Sequence, residues 1–422
     1  MDTPERTDAP PAPDESTAST GGRPATRSKK KLVGPRAFKL FWDAHSVTGI
    51  VIGLGLFVIF FAGAFALYRG ELHAWADPGL RTSGTQLSAD AITQPLLGDA
   101  PPAQGTDVQV TFPLRDRTYY FVRYETPEGD STRSLQAYVN ASTGETFEPT
   151  VENHVGRSAL SEILYDLHFF GQAGIWGEIV SGLISVFFLF AVVSGIVIHL
   201  RKLPKDWHTF RPRSKLRTKL ADAHNVLGLV GLPFAAMYAI TGAFLALLVI
   251  LLAPTVLVVF DGDRSKVDAL VAGLDLPTHE LTGERAEMLP FETYASAVPD
   301  SWDAHGIETT TIIVHGWEDE AGVVVVYGAT DNMLTAAPRA ALDASTGDVL
   351  AASNVPTASP LGGTGAAITN LHYGRLGAPV AKVLFFSLAL TTSAVILTGN
   401  VLWVLVRRPK DPRATPWLHW VL

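Results

Sequence analysis

Four apolar runs set the fold class before anything else in the chain can. They lie at roughly 47–68, 175–198, 226–249 and 380–406, and each supplies the ~20 consecutive residues that an α-helix needs to cross the hydrocarbon core of a bilayer. The composition agrees, with 47% of the 422 residues hydrophobic and 18% charged. The expected fold class is an α-helical membrane protein with four transmembrane helices. The chain has no cysteine, which excludes disulfides, thiolate chemistry, iron–sulfur clusters, Cys-type zinc sites and c-type haem attachment together. A metal would have to be held by His or carboxylates.

The distribution of Lys and Arg orients the helices. "SKKKLVGPRAFK" precedes the first run, "RKLPKDWHTFRPRSKLRTK" joins the second to the third, and "RRPKDPR" follows the fourth. By the positive-inside rule these segments face the cytoplasm, so the expectation is a multi-pass protein of the cytoplasmic membrane with both termini inside. The predicted organisation is a disordered cytoplasmic tail at 1–36, transmembrane helices at 37–72, 166–202, 220–258 and 369–408, extracytoplasmic domains at 73–165 and 259–368, a basic cytoplasmic loop at 203–219 and a cytoplasmic tail at 409–422. The basic loop reads as a topology determinant in contact with lipid headgroups; no nucleic-acid partner is expected.

The two long connections carry strand-like alternation, as in "TYYFVRYE" and "GVVVVYG", and a shared phrase, "YVNASTGE" at 138–145 and "ALDASTGD" at 341–348. Each phrase reads as a strand entering a turn, with Asn140 or Asp343 bonding the turn backbone and Gly144 or Gly347 supplying positive φ. Spacings repeat as well. His168 follows Gly144 by 24 residues and His372 follows Gly347 by 25; His168 to Gly195 and His372 to Gly399 are both 27; His45 to Gly63 and His224 to Gly242 are both 18. These coincidences predict an internal duplication, with a helix–domain–helix unit present twice.

Taken together, "DAHSVTG", "YRGELHAWADP", "LHFFGQAGIWGE", "SGIVIHLRK", "WHTFRPRSK" and "DAHNVLGLVGLPF" resemble the PepSY-associated transmembrane-helix family, and the shared soluble phrase resembles its PepSY domains. The resemblance runs over nearly everything after residue 36. It implies two extracytoplasmic α+β PepSY-like domains, and it brings to mind the family's haem-containing inner-membrane ferric-siderophore reductases. The glycine-rich nucleotide loop of flavin-fused relatives is not found in this sequence.

Against that resemblance, the histidines sort by position. His45, His199 and His224 sit near Lys or Arg at the cytoplasmic boundary, while His168 and His372 sit at the opposite boundary. An ionisable side chain at such a depth needs a partner, and imidazole is a usual axial ligand of haem iron. The expected cofactor is haem b, two per chain. His45 with His224 would hold one iron and His168 with His372 the other, with His199 as an alternative inner ligand although its counterpart in the repeat is Trp403. Asp43 and Asp222 are expected to cap or orient the helix starts. On a continuous helix His168 and His199 would lie roughly 46 Å apart, so they belong to different sites, with Phe187, Phe188 or Trp176 between them. The blander reading stays open at this point: duplication copies a histidine, and a boundary histidine can serve headgroups or caps. Likewise Gly49, Gly53, Gly55, Gly63, Gly182 and Gly195 serve either close helix packing or room for a porphyrin.

The remaining histidines read as structural. His73 is expected at the membrane interface with Trp75; His154, His279, His305 and His315 in the soluble regions; His208 and His419 in the cytoplasm. Arg115, Arg117, Tyr119 and Tyr120 offer cations and aromatics for an anionic complex at the outer surface. Two functions from different classes follow. One is a haem-dependent electron conduit that acts as a ferric-chelate (siderophore) reductase, taking electrons from a donor the sequence does not name. The other is a non-enzymatic, membrane-anchored PepSY protein that binds or regulates peptidases or other envelope proteins.

Overall fold

The computed structural model describes residues 34–76, 81, 84–113, 118–147, 159–200, 207–262, 266, 280–329, 338–353, 360–375 and 379–407. The expected tails lie outside these residues apart from 34–36, as do Arg115, Arg117, His154, His279 and His419. Helix α1 (Pro35–Ala66) begins with proline at a position whose N–H would be unpaired in any case. After it come a short helix α2 (Arg69–Ala76) and, before the first strands, α3 (Ala89–Asp99). Helix α4 (Ala159–Phe169) leads through a tight turn into α5 (Ile175–His199). The second half begins with α6 (Leu216–Val230) and α7 (Leu232–Pro254), has α8 (Phe291–Ser296) and α9 (Asp300–Ala304) in its soluble part, and ends with α10 (Pro360–His372) and α11 (Pro379–Arg407).

Three of these helices, α1, α5 and α11, are each long and apolar enough to cross a membrane, and α6 with α7 makes a fourth span if the bent pair is taken together. The expected span at 220–258 is therefore broken: its two helices meet at 68°. The cause is local, since Pro233 lacks an N–H and its ring crowds the carbonyl four residues earlier, next to Gly231. The continuous helix expected from His168 to His199 is also broken. Phe170 at φ 58° and Gly174 at φ 57° reverse the chain between α4 and α5, so His168 belongs to a separate short helix packed on α1.

Around the bundle, α1 packs against α5, α11 and α4, α7 against α5 and α10, and α6 against α11. The buried face of α1 recurs every four residues as Ile52, Leu56, Phe60 and Ala64, meeting Phe188 and Val192 of α5, Phe234 and Ala239 of α7, and Phe385, Ala389 and Ile396 of α11. Outward-facing Val51, Leu54, Phe187, Val380 and Val383 are exposed, the surface a lipid-embedded bundle presents. Phe188 is thus the only one of the three aromatic residues expected inside the bundle that is buried there; Phe187 is 52% and Trp176 72% exposed.

The soluble regions depart from the expectation of two separate domains. Their strands, β1 (Val108–Thr111), β2 (Tyr119–Glu128), β3 (Ser131–Asn140), β4 (Thr146–Phe147), β5 (Glu308–His315), β6 (Val323–Ala329), β7 (Arg339–Asp343) and β8 (Val349–Ala352), form one antiparallel sheet in the order β4-β3-β2-β1-β5-β6-β7-β8. The halves join at β1 and β5, where Val108 lies opposite Val314 and Val110 opposite Ile312. All four side chains are fully buried, and each strand left alone would be an apolar edge open to aggregation. Ile92 of α3, Phe291 and Tyr294 of α8 and Trp302 of α9 cover this face. The shared turn phrase behaves as read: Asn140 Oδ1 accepts from the N–H groups of Ser142 and Thr143, and Asp343 Oδ1 from those of Ser345 and Thr346. Gly144 and Gly347 take φ of 71° and 78°.

Candidate functional site: two facing histidine pairs

The helix packing brings four of the five boundary histidines into two facing pairs. His45 of α1 and His224 of α6 have ring centroids 6.2 Å apart at the end of the bundle away from the sheet. His168 of α4 and His372 of α10 have centroids 5.8 Å apart at the end near the sheet. His45 and Gly63, against which His168 rests, are 18 residues apart on α1, so the pairs are separated by roughly 27 Å along that helix.

Each ring lies on a glycine of a neighbouring helix. A Cβ on Gly195 would come within 3.3 Å of His45, on Gly399 within 2.9 Å of His224, on Gly242 within 3.6 Å of His372, and on Gly63 inside the van der Waals envelope of His168. At Gly63 and Gly399 only a residue without a side chain lets the imidazole settle this close to the helix backbone. The settled ring then bonds that backbone: Nδ1 of His45 lies 2.9 Å from the Ala191 carbonyl, Nδ1 of His224 2.9 Å from that of Val395, and Nδ1 of His168 2.8 Å from that of Ile59. In each case the carbonyl is four residues before the glycine. A carbonyl can only accept, so Nδ1 carries the proton and Nε2 holds the lone pair.

His372 reaches the same tautomer by another route. Its Nδ1 lies 2.9 Å from the Thr241 hydroxyl, and that hydroxyl donates its own proton to the Met237 carbonyl at 2.9 Å, so it accepts from the imidazole. Tyr238 adds a hydrogen bond from its hydroxyl to the His372 carbonyl at 2.9 Å, with its ring 5.1 Å from the imidazole. Sequence reasoning missed Ser194, Thr241 and Thr398. Each immediately precedes a cradling glycine, and each places its hydroxyl within 3.4 Å of a histidine Nδ1. The signal was present as "SG" at 194–195 and "TG" at 241–242 and 398–399.

The other expected residues fall as follows. His199, at the end of α5, is close enough to act electrostatically on both His45 and His224. Neither Asp43 nor Asp222 caps a helix, because α1 and α6 begin at Pro35 and Leu216, more than a turn earlier. Asp43 instead pairs with Lys39, and the buried Asp222 holds Arg211 of the basic loop through two guanidinium contacts of 2.9 and 2.7 Å and its backbone N–H at 3.0 Å. Tyr119 and Tyr120 are 7% and 3% exposed inside the sheet and present no outer surface. His305 and His208 are exposed, and His315 bonds Asp107 at 3.0 Å.

His73 also departs from expectation, for it is 7% exposed while Trp75 points outward. It lies in a charged brace between α2 and α4. Arg69 meets the Glu162 carboxylate with two bonds of 3.0 and 2.7 Å, and His73 Nε2 donates to the same carboxylate at 2.8 Å. Burial alone would raise the Glu162 pKa, but the His73 hydrogen bond and the Arg69 charge outweigh it and hold the carboxyl below its usual range. Arg69 also lies 4.1 Å over the ring of Tyr165, which hydrogen-bonds Tyr373 beside His372. The brace therefore ties the sheet-proximal pair to the sheet, through His73 stacked on Tyr138.

Chemically, each pair sets two imidazoles opposite one another with Nδ1 engaged, which leaves Nε2 of each as the acceptor nitrogen. Among the described residues no cluster of three or more His or carboxylates could hold a metal alone. In comparisons with known proteins, the family model described as "PepSY-associated TM region" matches residues 42–405. No curated protein matches the chain.

Proposed function

The chain belongs to the family of the PepSY-associated TM region, and from that premise we propose a haem-dependent electron conduit that reduces a ferric chelate on the sheet side of the cytoplasmic membrane. The observation that carries this reading is the pair of facing imidazoles at each end of one bundle, every one with Nδ1 engaged. The ring centres lie 6.2 and 5.8 Å apart, a separation that would leave room for one metal atom between the two imidazoles of each pair. Haem b would be held by His45 and His224 at one end and by His168 and His372 at the other. When bound, such a group supplies reversible one-electron chemistry between ferric and ferrous iron.

The residues of the chain do the rest. The backbone carbonyls of Ala191, Val395 and Ile59 and the Thr241 hydroxyl fix ring orientation and tautomer. Phe60, Phe188, Phe234, Tyr238 and Phe385 pack as one cluster with neighbouring centroids 4.5 to 6.1 Å apart, which excludes water between the ends. The Lys/Arg bias supports a cytoplasmic His45/His224 end, where a cytoplasmic or membrane-borne one-electron reductant would deliver electrons. At the other end Tyr373, 43% exposed, adjoins His372 and stacks with the exposed Arg375 at 5.0 Å. With Tyr119 and Tyr120 buried in the sheet, that cation and ring would be the place where an anionic chelate meets the conduit. Reduction would release the metal, because oxygen-donor chelators hold Fe(II) far less tightly than Fe(III).

The matching His, Gly and turn positions of the halves, and the symmetric strand order, support origin by duplication. The test is vesicle reconstitution with reductant at the His45/His224 side and a ferric chelate with an Fe(II)-trapping dye at the sheet side. Dye colour that disappears in His372→Ala is the expected result. A colourless protein that transfers no electrons while its sheet binds peptide or an envelope protein would favour the anchored PepSY binding role.

A further inference from the structure

At the sheet-distal end, the two halves differ at one matched position. His199 lies four residues after Gly195, and Trp403 lies four residues after Gly399, so each stands one helical turn beyond the glycine that cradles a histidine of the distal pair. The indole Nε1 of Trp403 is buried and has no hydrogen-bond partner among the described residues. A buried N–H without an acceptor is costly and calls for one. Arg407, a further turn along, lies 4.5 Å over the Trp403 ring, is exposed, and is paired with no carboxylate among the described residues. Trp302 Nε1 is likewise without a partner, but it lies in the sheet core, far from either histidine pair.

A buried donor and a guanidinium without a carboxylate partner among the described residues, one and two turns past the glycine that cradles His224, suit a carboxylate. We propose that Trp403 and Arg407 anchor a propionate of the prosthetic group held by His45 and His224, an inference that rests on the haem reading above. The asymmetry then has a use: His199 and Trp403 give the two sides of the distal site different donors, which selects one orientation of an otherwise pseudo-symmetric porphyrin. Arg407, lying over the indole face, supplies the charge; the indole N–H supplies a directed bond.

The experiment uses the full-length haem-loaded protein in nanodiscs, with Trp403→Phe and Arg407→Gln as variants. Phe keeps the aromatic ring and removes only the N–H, and Arg407 is exposed, so a fault in folding caused by one change is not shared by the other. Two readouts are taken: release of each haem to excess apomyoglobin, and the propionate bending bands in the resonance Raman spectrum. The expected result is roughly tenfold faster release of the distal haem in either variant, a shifted propionate band, and an unchanged proximal haem. If both variants release both haems at the wild-type rate with unshifted bands, the inference is overturned while the haem reading stands. Unchanged haem with slower reduction by a quinol would also overturn it, assigning the donors to an electron-donor site. A haem-free wild-type protein would instead sink the reading on which the inference rests.

Discussion

The two histidine pairs are built by the same device and anchored with different security. In the distal pair both Nδ1 atoms meet main-chain carbonyls, of Ala191 and Val395, and both histidines sit within their helices, away from the ends. In the proximal pair only His168 has a carbonyl, that of Ile59, and His372 depends on the Thr241 hydroxyl. Both proximal histidines stand at helix ends, His168 at that of α4, which a charged brace holds to α2, and His372 at that of α10. A ligand whose orientation rests on backbone can be disturbed only by moving a helix, whereas one that rests on a side chain can be disturbed by a single substitution. The proximal end is thus the adjustable one, and it is the end that faces the substrate in the proposed reaction.

The largest effect should come from the ligands themselves. His45→Ala or His224→Ala is expected to remove or convert to high spin one half of the haem spectrum, and His168→Ala or His372→Ala the other half, while His208→Ala in the basic loop changes neither. A His199→Ala variant that bleaches the distal half while His45→Ala spares it would break the pairing. Next come the cradles. Gly63→Ala forces a methyl group into His168 and should cost about 1–3 kcal/mol with a displaced proximal haem, measured by thermal unfolding and Soret position. Gly242→Ala, where the methyl group would lie 3.6 Å from His372 and 3.2 Å from the Ser185 hydroxyl, should be milder and leave the His372 ring in place. Equal effects would mean that the rings do not rest where the comparison places them.

Of this architecture, the pairing was legible in the sequence and the anchoring was not. The spacings of His45, His224, His168 and His372 to Gly63, Gly242, Gly195 and Gly399 repeat with little error because each histidine must reach a glycine on a partner helix, and a shift of one residue would turn it away by about 100°. The exchange was hidden: the glycine counted from His45 cradles His168, and the one counted from His168 cradles His45. No pattern in one sequence shows which helices are neighbours. The helix breaks at 170–174 and 231–233 were marked by glycine and proline, yet the unbroken apolar composition on both sides masked them. The joining of the soluble halves was hidden for a related reason: Val108 and Val110 alternate as any half-buried strand does, and nothing in "VQVTF" says that its partner lies two hundred residues away.

Smaller effects sharpen the difference in anchoring. Thr241→Val leaves the Nδ1–H of His372 without an acceptor and should destabilise the proximal site by about 1–3 kcal/mol, whereas Ser194→Ala, which leaves His45 its carbonyl, should cost about 1 kcal/mol or less. Chemical denaturation followed at the two haems would separate them, and equal costs would contradict the distinction. Acid should act on the brace. Because the Glu162 carboxyl is held below its usual range in the folded protein, its contribution is present above the ordinary carboxylate pKa and is lost as pH falls through the depressed folded value. Hydrogen exchange in α2 is expected to quicken at acid pH in the wild type, and Glu162→Gln should already exchange fast at neutral pH with that dependence removed.

The central claim is that each end of the bundle holds one haem between two imidazoles, and a pyridine haemochrome assay on protein purified from haem-replete cells tests it most directly. The account predicts two b-type haems per chain, low-spin in the oxidised spectrum and reducible by dithionite. A colourless preparation would contradict it outright, and one haem per chain would contradict the claim of two equivalent sites.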